Sequence, residues 1–239
     1  MTANGSAEPS YKYIGSELDL FALAVNWKRY WTGHIQPFLR GRILEIGAGI
    51  GSNTIALADS SQDWTCLEPD AELADRLRRR LAGAGLSFRV VNGTTADIPS
   101  EDRFDCALYI DVLEHIPDDR AELRRVLALL RPGGRLIVLA PAHQFLFSAF
   151  DEAVGHCRRY SRKALLAVAP PDVRVERAFY LDSAGAVASA ANRLVLRQSM
   201  PTAQQLKFWD SRLVPVSRLI DPVFGYRLGK SVVAIWTGH

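Results

Sequence analysis

A chain of 239 residues with 48% apolar residues can enclose one large core, and it sits near the upper edge of where single cores stop growing. Its 29 Lys and Arg against 26 Asp and Glu leave a formal net charge of +3, which argues against RNA or DNA as the main partner. Residues 1–10 are small and polar without the basic start and apolar run of a signal peptide, and the most apolar stretch, 184–196, is interrupted by Asn192 and Arg193 before it reaches a membrane span.

After that polar tail, Leu18, Phe21, Ala22, Val25 and Trp27 predict a helix over 17–31, with Tyr11, Tyr13, Asn26, Tyr30 and Trp31 adding an aromatic and polar face. From residue 41 strands and helices alternate, the pattern of a parallel sheet covered on both faces. A strand at 43–46 breaks into a glycine turn and a helix opening near Asn53. Strand 64–68 and helix 70–81 follow, then strand 86–91, closed by Asn92 and Gly93. Strand 104–110, helix 119–130 and strand 135–140 complete the alternating run. The basic run from Arg76 to Arg80 reads as a solvated helix face. A polar and aromatic segment of about twenty residues, 141–162, is longer than most loops and points to function. Helix 163–168, strand 173–180, helices 183–197 and 204–219, and a last strand at 231–236 end the chain. Cys66, Cys106 and Cys157 lack metal-ligand or C-x-x-C spacing, and they read as reduced thiols in or near the core of a cytoplasmic protein.

Open parallel sheets bind ligands beyond the carboxyl ends of their strands, so the residues just after each strand matter most. Gly47, Gly49 and Gly51 after the first strand let main chain approach a ligand, and the helix that follows aims its free N–H groups there. Glu68, about twenty residues on, is placed to accept from ribose hydroxyls, a position that NAD-binding folds share. The dinucleotide fingerprint needs a third glycine where Ser52 stands, which disfavours an NAD-dependent oxidoreductase.

The frame Glu45-x-Gly47-x-Gly49-x-Gly51, Glu68, Asp97 in Gly93–Pro99, Asp111 to Ile116 and Arg131 to Leu136 occur in one order and spacing. Over about residues 41–140 this set resembles the class I S-adenosylmethionine-dependent methyltransferases, small-molecule type. The resemblance implies a Rossmann-like α/β fold: a seven-stranded sheet with helices on both faces, whose last strand is antiparallel and slots in beside the fifth. It also implies a single domain over 1–239, with an N-terminal helical lid (1–40), a cofactor-binding core (41–140) and an acceptor-side half (141–239) carrying a C-terminal helical insertion. The cofactor implied is S-adenosyl-L-methionine, held by Glu45, Gly47, Ala48, Gly49 and Gly51, by Glu68 and Pro69, by Thr95, Ala96, Asp97 and Ile98, and by Asp111, Val112 and His115. Within that set, Asp97 accepts from the adenine amino group, and Glu45 with the glycine main chain lies near the methionine end. His115 is read as structural or as lining of the cofactor pocket.

The acceptor side is less defined. Residues 151–160 resemble a subset of bacterial methyltransferases found with glycan and natural-product pathways. His143, at the mouth of the fifth strand, and His156 with Asp151 are the candidate catalytic residues. Tyr13, Phe147, Arg158, Arg159 and Tyr160 are candidates for acceptor binding, the last three as a grip on an anionic or hydroxylated molecule. No metal is expected on His143, Asp151 and His156, because no pair shares a helix face. The expectation is methyl transfer to oxygen of a small sugar-like, natural-product or lipid-linked acceptor, with nitrogen or carbon and a non-catalytic cofactor-binding role as alternatives. Partners are expected to be a small molecule, with no nucleic acid and no integral membrane contact, peripheral lipid contact being left open, in a monomer or homodimer. The Asp111-Val112-Leu113 strand end, in place of Asn/Asp-Pro-Pro-Tyr, further disfavours a nucleobase acceptor.

Overall fold

The computed structural model describes residues 11–15, 17–59, 61–195 and 200–238; the expected tail at 1–10 and the expected helix end at 196–197 lie outside them. Strands β1 (Arg42–Ile46), β2 (Asp63–Glu68), β3 (Arg89–Asn92), β4 (Phe104–Ile110), β5 (Leu130–Pro141), β6 (Val173–Leu181) and β7 (Ser231–Gly238) form one sheet in the order β3-β2-β1-β4-β5-β7-β6. β7 pairs antiparallel with both β5 and β6, in the slot the resemblance implies. β1 pairs parallel with β2 on one side and β4 on the other, so the strand order reverses there. A crevice opens at such a switch point, beyond the carboxyl ends of β1 and β4.

The strands are apolar on both faces because both faces are covered. On one side Leu44, Ile46, Ala107 and Tyr109 pack against α5 (Asp119–Ala128) and α7 (Arg162–Val168) through Leu123, Val126 and Leu165. On the other, Ile43, Cys106, Leu108 and Ile110 meet α2 (Val25–Ile35), α3 (Ser52–Leu57), α4 (Ala71–Gly83) and α10 (Val214–Ile220) through Trp31, Leu57, Leu77 and Val214. Among the described residues no helix is long and apolar enough to cross a membrane.

Several boundaries depart from expectation for local reasons. The N-terminal helix is broken at Leu23 and Ala24 into α1 (Leu18–Ala22) and α2. Lys28 Nζ donates to the carbonyls of Phe21 and Ala22, closing α1, while the buried carboxylate of Asp210 accepts from the amides of Asn26 and Trp27, capping α2. The expected helix at 204–219 is three pieces: α9 (Ala203–Phe208), a π-helical turn at Trp209–Leu213, and α10. The wide turn precedes Pro215, which has no N–H to continue an ordinary α-helical ladder. α8 (Ser183–Val195) lies against this region. β5 begins at Leu130 rather than residue 135, and Cys157 is exposed rather than near the core. Arg76 and Arg78 pair with Asp19 and Asp75, consistent with a solvated face.

Candidate active site

The crevice at the β1/β4 switch point holds a cavity floored by Gly47, Ala48, Gly49 and Asp111, and walled by Tyr13, Phe21, Trp27, His115, Phe150, His156 and Trp209. Gly47 and Gly49 have φ of +66° and +55°, conformations costly for side-chain-bearing residues. A Cβ on Gly47 would stand 2.7 Å from Val112 Cγ2, so glycine there is required by packing. A Cβ on Gly49 would make only ordinary contact with Leu18 at 3.7 Å, and the Gly49 main chain lines the cavity.

The turn is anchored from below. Glu68, 4% exposed, accepts from the Gly49 amide at 2.8 Å and from the Asp70 amide at 2.9 Å. Burial pushes its pKa up against those two bonds. Asp70 caps α4 and also accepts from the Tyr13 amide at 2.8 Å, tying the N-terminal segment across the strand ends. Tyr13 donates to Glu17 and sets its ring edge-on to His115, 5.8 Å between centroids. Glu45 faces away from the cavity: it is 2% exposed and accepts from Trp64 Nε1 at 2.9 Å, and burial raises its pKa to about 7. It supports the turn from behind rather than reaching the methionine end, which corrects the expectation.

Beyond β3, Asp97 accepts from the Thr94 amide at 2.7 Å and its hydroxyl at 3.0 Å, closing a capping box with the Ala96 amide on Thr94 Oγ1. Asp97 itself is exposed. Thr95 is a correction: its hydroxyl turns inward to Glu122 Oε2, so its side chain serves α5. Ile98 is buried in the core, and Pro69 receives Asn92 Nδ2 on its carbonyl. Asp111 adopts φ +54° with its amide on the Leu139 carbonyl, and this turn carries its side chain into the cavity.

On the opposite wall the structure separates the sequence candidates. His156 Nδ1 lies 2.8 Å from Asp151 Oδ1, and its ring edge meets His115 at 4.6 Å between centroids. Asp151, fully buried, also accepts from Arg159 Nε at 2.7 Å and Nη2 at 2.9 Å, and from the Ser148 amide and hydroxyl. These donors hold its carboxyl well below the usual range, although burial opposes them. The other nitrogen of His156, Nε2, points toward Glu114 at 3.8 Å. Glu114 is fully buried with neither oxygen hydrogen-bonded, and burial raises its pKa far above a normal carboxylate. Glu114, His115 and His156 bring one ligand atom each within 4.8 Å of one another, a grouping different from the His143, Asp151 and His156 set weighed from sequence.

His143 is not part of this wall. Its ring stacks on Tyr180 with centroids 4.8 Å apart, and it lines neither this cavity nor the neighbouring one among α8 and α9. Arg158 and Tyr160 are further corrections: both bond Asp119 Oδ2, at 2.8 and 2.7 Å, and Arg158 also binds the carbonyls of Ile116 and Pro117. From Cys157 to Tyr160 side chains alternate, so Arg159 faces the cavity while Arg158 and Tyr160 pin the segment to the start of α5. Phe147 lines neither cavity, whereas Phe150 lines both. Lys28 and Lys230 line the cavity and escaped the sequence reading, since no motif marks them and only the folding of α2 and of β7 beside β5 brings them in.

Residues 44–136 match a family model described as a methyltransferase domain. The ubiquinone biosynthesis O-methyltransferase of Bordetella avium is 28% identical over 154 residues, covering 56% of this chain and 64% of that protein. The demethylmenaquinone methyltransferase of Clavibacter sepedonicus is 30% identical over 47% of this chain and 46% of its own length. The chain thus spans less than two thirds of the length of these relatives. Among solved structures, coclaurine N-methyltransferase bound to N-methylheliamine and S-adenosylhomocysteine superposes with a TM-score of 0.59 at 14% identity, covering 95% of this chain and 76% of that one. Seven strands with β7 reversed, a glycine turn at the β1/β4 switch point and the methyltransferase-domain match over residues 44–136 converge on the fold of the class I S-adenosylmethionine-dependent methyltransferases.

Proposed function

We propose that the chain methylates a hydroxyl oxygen of a small sugar-like, natural-product or lipid-linked molecule, with His156 as the general base. The carrying observation is the His156–Asp151 pair opening on the same cavity as the glycine turn. The reading that the chain holds S-adenosylmethionine is supported by the cavity at the glycine turn, the Glu68 carboxylate beneath it on the Gly49 amide, and the exposed carboxylate of Asp97 after β3. When bound, that cofactor supplies a methyl group on a sulfonium.

The chain's own residues supply position, dryness and a proton acceptor. Asp151 fixes the His156 ring by taking its Nδ1–H, which leaves Nε2 as the lone pair available to a hydroxyl proton. The tautomer follows from that carboxylate. Tyr13, Phe21, Trp27, Phe150 and Trp209 wall the space with rings, excluding water that would compete as a nucleophile. Residues 11–35 serve as the lid in this reading, tied down by Asp70 and Asp210.

Calorimetric titration with S-adenosylhomocysteine, together with methyl transfer from labelled S-adenosylmethionine to a panel of hydroxylated acceptors, tests the proposal. His156→Asn should leave S-adenosylhomocysteine affinity within about twofold and lower turnover by roughly 10²- to 10³-fold. Unchanged turnover would remove His156 from the base role, and absence of cofactor binding would sink the reading as a whole.

A further inference from the structure

Two cations that methyl transfer itself leaves unused meet where the active-site cavity opens into a second one. The second cavity, about 510 Å³, lies among α8, α9 and the π-helical turn, with Leu146, Gly185, Ala188, Leu206 and Leu213 on its walls. Phe21, Phe150, Arg159, Trp209 and Lys230 line both cavities, so the two are continuous. The second cavity is mostly apolar away from that junction.

Arg159 is 8% exposed and commits Nε and Nη2 to Asp151, while its buried Nη1 has no hydrogen-bond partner. Lys230 rests on the Trp209 ring, its Nζ 4.5 Å from the centroid, and forms no ion pair among the described residues. Of the nearby carboxylates, Asp111 lines the active-site cavity and attracts both cations at longer range without forming an ion pair with either, and the other two are engaged. Asp182 accepts from Trp209 Nε1, Ser217 Oγ and the Gly185 amide, and Asp151 from Arg159, His156 and Ser148. A buried guanidinium N–H and a partly buried ammonium without an acceptor are costly unless an anion satisfies them. A neutral or purely apolar molecule would leave both unsatisfied.

We propose that the acceptor is an anionic amphiphile: a carboxylate or phosphate sits between Arg159 Nη1 and Lys230 Nζ, and an apolar chain or ring system fills the second cavity. This rests on the methyltransferase reading for the word acceptor, and it places the hydroxyl to be methylated between the anionic group and His156. The cofactor's own carboxylate is the rival anion, and the test below separates the two.

Isothermal titration of the full chain with decyl phosphate, decanoate, decanol, inorganic phosphate, acetate and S-adenosylhomocysteine tests this, in wild type, Lys230→Gln and Ala188→Phe. Decyl phosphate or decanoate, whichever head fits, should bind about tenfold tighter than decanol, and inorganic phosphate and acetate about 100-fold weaker than their decyl counterparts. Lys230→Gln should remove most of the anion preference and leave decanol unchanged. Ala188→Phe should weaken all three decyl compounds, with retained S-adenosylhomocysteine affinity reporting that it is folded. Equal affinity for decanol and the anions overturns the proposal, as does binding of inorganic phosphate as tight as that of decyl phosphate. Loss of S-adenosylhomocysteine affinity in Lys230→Gln also overturns it, by assigning Lys230 to the cofactor. Failure of wild type to bind S-adenosylhomocysteine while the amphiphile pattern holds would instead sink the methyltransferase reading and leave the amphiphile site standing.

Discussion

The two walls of the crevice are built in different ways. The wall beneath the glycine turn comes from strand ends between residues 45 and 111 and works largely through main chain: the Gly49 amide on Glu68, the Ala48 amide on the Leu67 carbonyl, the strained φ of Asp111. The facing wall is assembled from side chains far apart in sequence, Tyr13, Phe150, His156, Arg159, Trp209 and Lys230, held by buried carboxylates at Asp151, Asp182 and Asp210. A main-chain wall tolerates little change at its glycines but places no constraint on what lies opposite. A side-chain wall can be re-specified residue by residue, provided each buried charge keeps its partners.

That contrast breaks first at Asp151. Asp151→Asn removes the charge that offsets Arg159 in a buried site, and leaving one such partner alone costs roughly 3–5 kcal/mol. Urea denaturation should show that loss, while S-adenosylhomocysteine affinity stays within about twofold because no main-chain contact of the first wall is touched. Gly47→Ala should do the opposite. An αL alanine and a collision with Val112 together cost about 2–4 kcal/mol, and cofactor-product affinity should fall at least about tenfold. If the two variants gave the same ratio of stability loss to affinity loss, the division between the walls would fail.

The pH dependence of stability sharpens the comparison on the main-chain wall. Folding raises the Glu45 pKa from 4.5 to about 7 through burial, so between those values the folded chain binds more protons than the unfolded one. Stability from this group is therefore highest at or below pH about 4.5 and declines as pH rises toward 7, by roughly 2–3 kcal/mol. Glu45→Gln can still accept from Trp64 Nε1 and removes the titration. The difference in unfolding free energy between wild type and variant should grow in the variant's favour from pH 5 to pH 8, and a difference independent of pH would show that Glu45 stays ionised in the fold.

The same contrast explains what was legible in the sequence. The alternation of strands and helices was legible in the apolar runs, which act over short spans of chain, whereas the reversal at β7 was implied only by the family resemblance that the motif set carries. Glu68 was singled out by spacing, and its two amide partners lie within twenty residues. Arg159 and Arg158 could not be told apart until the extended segment fixed which of them alternates inward. His143 stands apart from the cavity wall because its strand end turns at φ +65° and carries the ring onto Tyr180, which no local pattern announces. Lys230 carries no local pattern at all: its role depends on β7 entering the sheet beside β5 and on Trp209 reaching it from a separate helix.

The smallest predicted effect tests whether the side-chain wall moves as one body with the N-terminal segment. Asp210, on the π-helical turn, accepts from Trp27 N at 2.8 Å, Asn26 N at 3.2 Å and Asn26 Nδ2 at 3.1 Å. It is the N-terminal cap of α2 although it lies more than 180 residues away. The same stretch of chain supplies Trp209, whose ring meets Trp27 and Phe21, so cap and aromatic contact reinforce each other. Loss of a carboxylate cap costs about 0.5–2 kcal/mol. Asp210→Ala should thus lower stability by about 1 kcal/mol, and hydrogen exchange should rise at the amides of Asn26 and Trp27 while those of Gly47–Gly51 keep their protection. Equal acceleration at the glycine turn would show that the cap supports both walls, and the N-terminal segment would then belong to the cofactor side as much as to the acceptor side.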